Sequence, residues 1–327
     1  MLNTNLLSEQ NDIQLIVEML ANKSTSTLAD KQEYLIKQAS YFAPNYRDFI
    51  IKILSNESLK VSHEALEGYI TPMEINLESS NFTRKHKNSI VTDIYNPTYL
   101  PHELGHAVDF WFGMHQSLTN YVILSSNKTL REIFDEELES KREEMYQAVM
   151  KEYKIMIDTN VPDLASDIIM DNISLYLELR HLKENLRDKE VTKNRNKIQK
   201  VLYKSGFVEA YYQLREMNKK FFKDYMERNY TVLDALSSKY DLYVFFLIYH
   251  TLSYYEHSAT RPVQEFFANV FRAKVTSKDI EYDSLIRFFP QSLAAFEELF
   301  AIFYDYIQQN KPFTSVRTRK DIHNGIL

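Results

Sequence analysis

The sequence predicts a mainly α-helical protein with a small β-sheet, an α+β fold, and three observations support this expectation. Only 5 glycines and 8 prolines occur among the 327 residues, which is too few for an architecture rich in β-hairpins. Apolar residues recur at helical spacing over long stretches, for example within 164–182. Two short runs with β-branched residues, 70–77 and 89–95, are typical of strands.

The order of the elements follows from the same patterns. Residues 8–55 predict two or three short helices, which the two strands follow. A helix then begins near Thr98 or Pro101. Dense charge combined with helical apolar spacing predicts long antiparallel helices over 116–230, and the segment 231–310 returns to apolar helices.

These patterns divide the chain into four predicted regions. They are an N-terminal helical region over 1–56, a core assembled from 57–115 and 231–310, a helical insertion over 116–230, and a polar C-terminal tail over 311–327.

Composition excludes several classes of function. The net charge of −6 argues against nucleic-acid binding through a general positive field. The chain has no cysteine, so a disulfide framework, a thiol nucleophile and a cysteine-ligated metal are excluded, and any metal must be held by His, Asp or Glu. The N-terminus lacks the pattern of a signal peptide, and we expect no membrane span.

The most informative motif is His102-Glu103-Leu104-Gly105-His106, an HExxH sequence. Residues four apart lie on one face of a helix, so the two imidazoles can bind one zinc ion while Glu103 acts on a metal-bound water. Gly105 leaves room for another backbone to approach. Asp109 lies on roughly the same face and is predicted to orient one imidazole, although it can also be an ordinary surface acid.

A catalytic zinc needs a third protein ligand, and we expect a glutamate on a later helix to provide it. The best candidate is Glu265, within Glu265-Phe266-Phe267-Ala268-Asn269-Val270-Phe271-Arg272. A lone carboxylate on so apolar a helix is costly unless it is paired or bound to a metal. The alternative is an acid near a helix start that interacts favourably with the helix dipole.

Taken together, HELGHAVD and the segment EFFANVFR, which begins 159 residues after His106, resemble the catalytic domain of anthrax lethal factor-like gluzincin zinc endopeptidases. The sequence IRFFP over 286–290 and Phe296 also resemble the start of that family's last helix. The resemblance covers roughly 88–113 and 250–308. It implies a zincin-like catalytic core into which the helical segment 116–230 is inserted.

The resemblance also implies a set of roles. His102, His106 and Glu265 would bind one Zn²⁺ per chain, and Glu103 would be the general base in the hydrolysis of a peptide bond in a protein substrate. It further suggests a secreted bacterial effector, or toxin, that acts on a host protein in the host cytosol; otherwise the chain is expected to be cytoplasmic.

The chain departs from the family at two positions. Relatives carry a second acid four residues after the ligand glutamate, where this chain has Asn269, which can still hydrogen-bond a ligand histidine. Relatives also place an oxyanion-stabilising tyrosine about seven residues before that glutamate, where this chain has Ser258. Tyr255 is the favoured substitute, followed by His257 and Tyr254.

Two other functions are compatible with the same residues. The chain can be a catalytically inactive binding module that acts through 116–230, although the intact Glu103 argues against this. It can also be a self-processing or phage-type peptidase. Zinc content distinguishes the inactive binding module from the peptidase. The mass of the purified chain shows whether the protein cleaves itself.

Overall fold

The computed structural model describes most of the chain. The described residues are 2–23, 32–55, 60–62, 74–76, 99–112, 118–160, 166–181, 189–211, 223–240, 242, 250, 252–256, 258–276 and 279–309.

Helices dominate these residues, so the predicted fold class, mainly α with a small β component, is confirmed. The helices are α1 (Leu2–Lys23), α2 (Gln32–Ser40), α3 (Arg47–Leu54), α4 (Tyr99–Phe112), α5 (Leu130–Asn160), α6 (Ser166–His181), α7 (Lys189–Lys204), α8 (Lys223–Ser237), α9 (Leu252–Glu256), α10 (Arg261–Val275), α11 (Asp279–Phe288) and α12 (Pro290–Gln308). The predicted helices at the N-terminus correspond to α1–α3. The helix that carries the motif begins at Tyr99, as expected.

Two short pairs of strands accompany the helices. β1 (Lys60–Ser62) pairs in parallel with β2 (Glu74–Asn76), and β2 contacts α4, so part of the predicted strand 70–77 lies beside the motif helix. The other predicted strand, 89–95, lies outside the described residues.

An antiparallel hairpin between β3 (Val122–Ile123) and β4 (Lys128–Thr129) was not predicted. Its turn contains Asn127 with φ of 55°, a left-handed conformation that asparagine adopts more readily than most residues. Strands of two residues are too short to produce an alternating pattern in the sequence, which explains why the hairpin was missed.

The chain forms two compact units, 1–137 with 260–327 and 138–259. The predicted insertion, 116–230, therefore does not have the same bounds as the second unit. Residues 118–137 belong to the first unit because they pack there: the backbone N–H of Thr119 donates to Asp109, and β3 contacts α12. The second unit extends past 230, since Tyr240 stacks on Tyr146 at 4.4 Å between ring centroids.

Phenylalanine rings form the core of the first unit. Phe49 of α3 lies 6.4 Å from Phe271 of α10 and 5.2 Å from Phe303 of α12, measured between ring centroids, and so joins three helices. Other buried rings continue this core: Phe134, Phe266, Phe267, Phe289, Phe296 and Phe300. The aromatic residues that were prominent in the composition thus supply much of the area buried between helices.

Two buried carboxylates hold the helices around α10 in place. Arg272 donates through Nη2 to both oxygens of Glu281, at 2.7 and 2.8 Å, and ties α10 to α11. Glu137 accepts hydrogen bonds from the backbone N–H groups of Gln291 and Ser292 and from the Ser292 hydroxyl. Glu137 thereby accepts from backbone N–H groups at the start of α12, which have no acceptor within the helix itself.

The described part of the second unit consists mainly of helices. It contains the C-terminal portion of α5 followed by α6 to α9, with α6 packed against α7. The Tyr240 hydroxyl donates to Glu143 at 2.9 Å, which attaches the end of α8 to α5 within this unit. Among the described residues of both units, no helix has the length and apolar character that crossing a membrane requires.

Candidate metal centre

Helix α4 separates its apolar residues from the residues of the motif. Leu104, Ala107 and Val108 are buried, whereas His102 and His106 are partly accessible. This separation follows from helical periodicity, because positions 102 and 106 are one turn apart on one face. The local sequence therefore presents both imidazoles together without help from the rest of the fold.

Helix α10 reaches this face because α4 lacks a side chain where the two helices cross. A Cβ atom added to Gly105 would lie 2.7 Å from Cα of Ala268 and 3.1 Å from its carbonyl oxygen. Real Cβ atoms essentially never approach backbone that closely, so only glycine permits this crossing. The prediction that Gly105 makes room for a second backbone is confirmed.

The close crossing brings three potential ligand atoms together. Nε2 of His102 lies 3.2 Å from Nε2 of His106, and Oε2 of Glu265 lies 3.2 and 3.3 Å from these two nitrogens respectively. The three atoms form a nearly equilateral triangle, and together they could hold a metal ion. Residues that are 159 positions apart in the chain thus share one site.

Glu265 is buried, with 3% of its surface exposed. It lies beyond the first turn of α10, which contains no acid, so the alternative that it is an acid near the helix start is not supported. A carboxylate removed from water needs a cation nearby. The two imidazole nitrogens are the groups of α4 placed to hold that cation, either as a proton or as a metal ion.

The electrostatics of His106 show how strongly this site favours positive charge. Burial by itself lowers the pKa of His106, but the carboxylate of Glu265 raises it through its charge and a hydrogen bond, and Glu103 and Asp109 add to this effect. The net result is a pKa of about 9. The same negative surroundings would stabilise a metal cation bound at Nε2.

Asp109 is buried at the end of the motif face, and its Oδ1 accepts a hydrogen bond from the backbone N–H of Thr119 at 2.9 Å. This bond attaches α4 to the turn Leu118–Asn120. The alternative that Asp109 is an exposed surface acid is therefore wrong. Its charge also contributes to the raised pKa of His106, which is in keeping with the predicted supporting role. Asn269, predicted to serve beside a ligand histidine, is fully buried on α10.

The three candidates for oxyanion stabilisation are placed as follows. Tyr255 is buried in the second unit, and its hydroxyl donates to Oδ1 of Asp234 at 2.7 Å. Tyr254 stacks on His250, with 4.3 Å between ring centroids. His257 lies outside the described residues. The Tyr255 hydroxyl already donates its proton to the carboxylate of Asp234. To stabilise an oxyanion, it would have to break that hydrogen bond.

Asp234 contacts Tyr255 and His250, and it was not singled out in the sequence analysis. It is buried in α8 and lies 3.1 Å from Nδ1 of His250, besides accepting from Tyr255. A signal was present: Asp234 interrupts the apolar run Val232-Leu233-Asp234-Ala235-Leu236, as Glu265 interrupts its own helix. The contact with Asp234 gives one ring nitrogen of His250 a hydrogen-bond partner.

Comparison of the chain with protein-family models, with curated proteins and with solved structures finds no match in any of the three.

Proposed function

We propose that this protein is a zinc-dependent endopeptidase in which His102, His106 and Glu265 bind the ion and Glu103 is the general base. The observation that carries the proposal is the triangle of ligand atoms with sides of 3.2 to 3.3 Å. Tetrahedral zinc with bonds of about 2.0–2.1 Å requires its ligand atoms to be about 3.3 Å apart. The donor set of two imidazoles and one carboxylate also suits zinc, and it leaves one position open.

The chemistry assigns a separate task to Glu103. When bound, zinc supplies Lewis acidity that polarises a carbonyl and lowers the pKa of water. Glu103 takes the proton from the attacking water and then delivers it to the nitrogen of the leaving amine. This role is supported by its position in sequence between the two histidines of α4 and by its charge, which contributes to the raised pKa of His106.

The remaining parts of the proposal come from the resemblance to lethal factor-like gluzincins. The substrate would be a protein, and the chain would act as a secreted bacterial effector on a host protein. A hydrogen-bond donor from the region of Tyr255, with His257 and Tyr254 as alternatives, would stabilise the oxyanion. The predicted strand 89–95, whose edge would hold an extended substrate by strand addition, lies outside the described residues.

The deciding experiment is the zinc content of Glu265→Ala beside wild type, both purified without added metal and measured by elemental analysis. We expect about one zinc per wild-type chain and a large loss in the variant, because only two protein ligands would remain. Circular dichroism would check that the variant is folded.

Glu256→Ala is the matched control. Glu256 is an exposed acid on α9, and its removal should leave the zinc content unchanged. A folded wild-type protein that takes up no zinc even when zinc is supplied would overturn the proposal. Equal zinc content in wild type and Glu265→Ala would show that the third ligand is a different residue.

A further inference from the structure

The second unit contains a groove that the metal chemistry does not use. It lies between α6, α7 and the helical residues 207–211, and its volume is about 320 Å³. Three tyrosines line it, Tyr176, Tyr203 and Tyr211, together with aliphatic side chains. Phe207 forms part of the wall, and its ring stacks on that of Tyr211, with 5.7 Å between centroids. The groove is therefore a largely apolar, aromatic recess.

One side chain of the groove is unusually accessible. Tyr203 is 78% exposed, although it is large and carries an apolar ring. Val208, which also lines the groove, is 38% exposed. Exposed aromatic side chains at the edge of a recess are typical of surfaces that bind a partner, because covering them removes apolar area from water.

A stripe of lysines runs along the solvent-facing side of α7 and comes nearest to the groove at the exposed lining residue Tyr203. Lys193, Lys197, Lys200 and Lys204 recur at intervals of four, three and four residues, so they share one face of the helix, and all four are exposed. With 3.6 residues per turn, Lys200 and Lys204 lie about 60° and 100° around the helix from the groove residue Tyr203, so their long side chains can reach its exposed edge. Within the described part of the chain, none of the four lysines forms an ion pair.

The charge of α7 contrasts with that of the whole protein. Lys189–Lys204 contains six basic residues and one acid, Glu190, which gives a net charge of +5, whereas the complete chain carries −6. Positive charge concentrated on one helix attracts a partner of opposite charge. From Lys193 to Lys204 the stripe is about 17 Å long, since a helix rises about 1.5 Å per residue.

We propose that the groove and the lysine stripe together form a docking site for a segment of a partner protein in which acidic residues flank a large apolar side chain. The apolar side chain would enter the recess between Tyr176, Tyr203 and Tyr211. The acidic residues would pair with the lysine stripe. This inference concerns binding alone, so it holds whether or not the chain hydrolyses peptides; in a peptidase, the site would select the substrate protein.

The groove fits a polypeptide better than a nucleic acid. Its lining includes the aliphatic side chains Leu179, Leu202 and Val208, whereas surfaces for single strands offer aromatic faces on which successive bases stack. Exposed Glu178 and Glu209 lie next to lining residues on the elements that face α7. They would repel an evenly charged phosphate backbone, while a peptide can place its acids on the lysine side alone.

The test is a fluorescence anisotropy titration with a labelled peptide of about 12 residues, long enough to follow the stripe, with glutamates around a central Leu-Phe pair. The full-length Glu103→Gln chain would be used so that the peptide is not cleaved. We expect a Kd of about 10–100 μM that weakens as salt is added. A peptide with lysine in place of every glutamate should not bind.

Two pairs of variants locate the site. Lys200→Glu should weaken binding about tenfold, whereas Lys151→Glu, the same charge change on exposed Lys151 of α5, should not. Tyr203→Ser should also weaken it about tenfold, whereas Leu124→Ser, at a residue of equal 78% exposure in the first unit, should not.

Three outcomes would overturn the proposal. The first is no binding of the acidic peptide to the folded chain, which would make the lysine stripe a solvated helix face. The second is binding that Lys200→Glu and Tyr203→Ser leave unchanged. The third is displacement of the peptide by single-stranded DNA whose own binding requires Lys200 and Tyr203, because the ligand would then be a nucleic acid.

Discussion

At the scale of single residues, Glu265 and Glu103 differ in burial and contacts, as their proposed roles of metal ligand and general base require. Glu265 is almost fully buried, and its Oε2 lies within 3.3 Å of both imidazole nitrogens, so it suits a ligand. Glu103 is only partly buried on the motif face, so it can meet water. Burial and contact geometry therefore distinguish the proposed ligand from the proposed base.

Glu103→Gln tests this separation. We expect the variant to fold and keep its zinc, because Glu103 is not one of the three ligands, and to lose turnover by about 10²–10⁴-fold, because the amide cannot accept the water's proton. Zinc content would be measured by elemental analysis. Activity would be measured by labelling new protein N-termini in a lysate incubated with either protein. New termini produced at the wild-type rate would exclude Glu103 as the base.

At the scale of elements, the crossing of α4 and α10 decides whether the site exists. The motif helix can present its histidines alone, but Glu265 reaches them only because Gly105 lets Ala268 approach so closely. The obstructing atoms belong to the backbone of Ala268, so a rotamer change cannot relieve the contact.

Gly105→Ala therefore has an unusual expected effect. Alanine normally stabilises a helix relative to glycine by about 1 kcal/mol. Here the added Cβ should destabilise the protein by about 1–3 kcal/mol, because the helices must move apart. Zinc affinity should also fall, since Glu265 would be displaced from His102 and His106. Denaturant unfolding and zinc titration would measure the two effects, and a more stable variant with unchanged affinity would contradict the observed crossing.

At the scale of the whole molecule, a bound ion would connect two segments of the first unit that are distant in sequence, 99–112 and 261–275. An ion held from both helices binds the folded state and stabilises it by mass action. With free zinc about 1,000-fold above its Kd, this contribution is about 4 kcal/mol.

Removal of zinc should therefore lower the Tm. For a unit of about 200 residues, such as the first unit, we expect about 2–4 °C per kcal/mol, measured by scanning calorimetry with and without a chelator. Glu265→Ala should show no zinc-dependent shift, whereas Glu103→Gln should keep it. A wild-type Tm that the chelator does not change would mean that no ion links α4 to α10.

Local patterns in the sequence determined a substantial part of this protein. Helical periodicity was sufficient for the fold class, for α1–α3 and for the motif helix, because a helix depends on residues within a few positions of one another. The absence of cysteine limited the ligands to His, Asp and Glu. The free-energy cost of burying a lone carboxylate on an apolar helix identified Glu265 as the candidate for the third metal ligand.

Only the tertiary structure decided which distant groups meet. The distance from Oε2 of Glu265 to the two histidines depends on the contact between Gly105 and Ala268, and no local pattern encodes a crossing between helices so far apart in sequence. The second unit, 138–259, and the pairing of Tyr255 with Asp234 likewise arise from packing. The physical reason is that sequence periodicity shows which side of an element is apolar, whereas its partner is selected by the fit of complete surfaces.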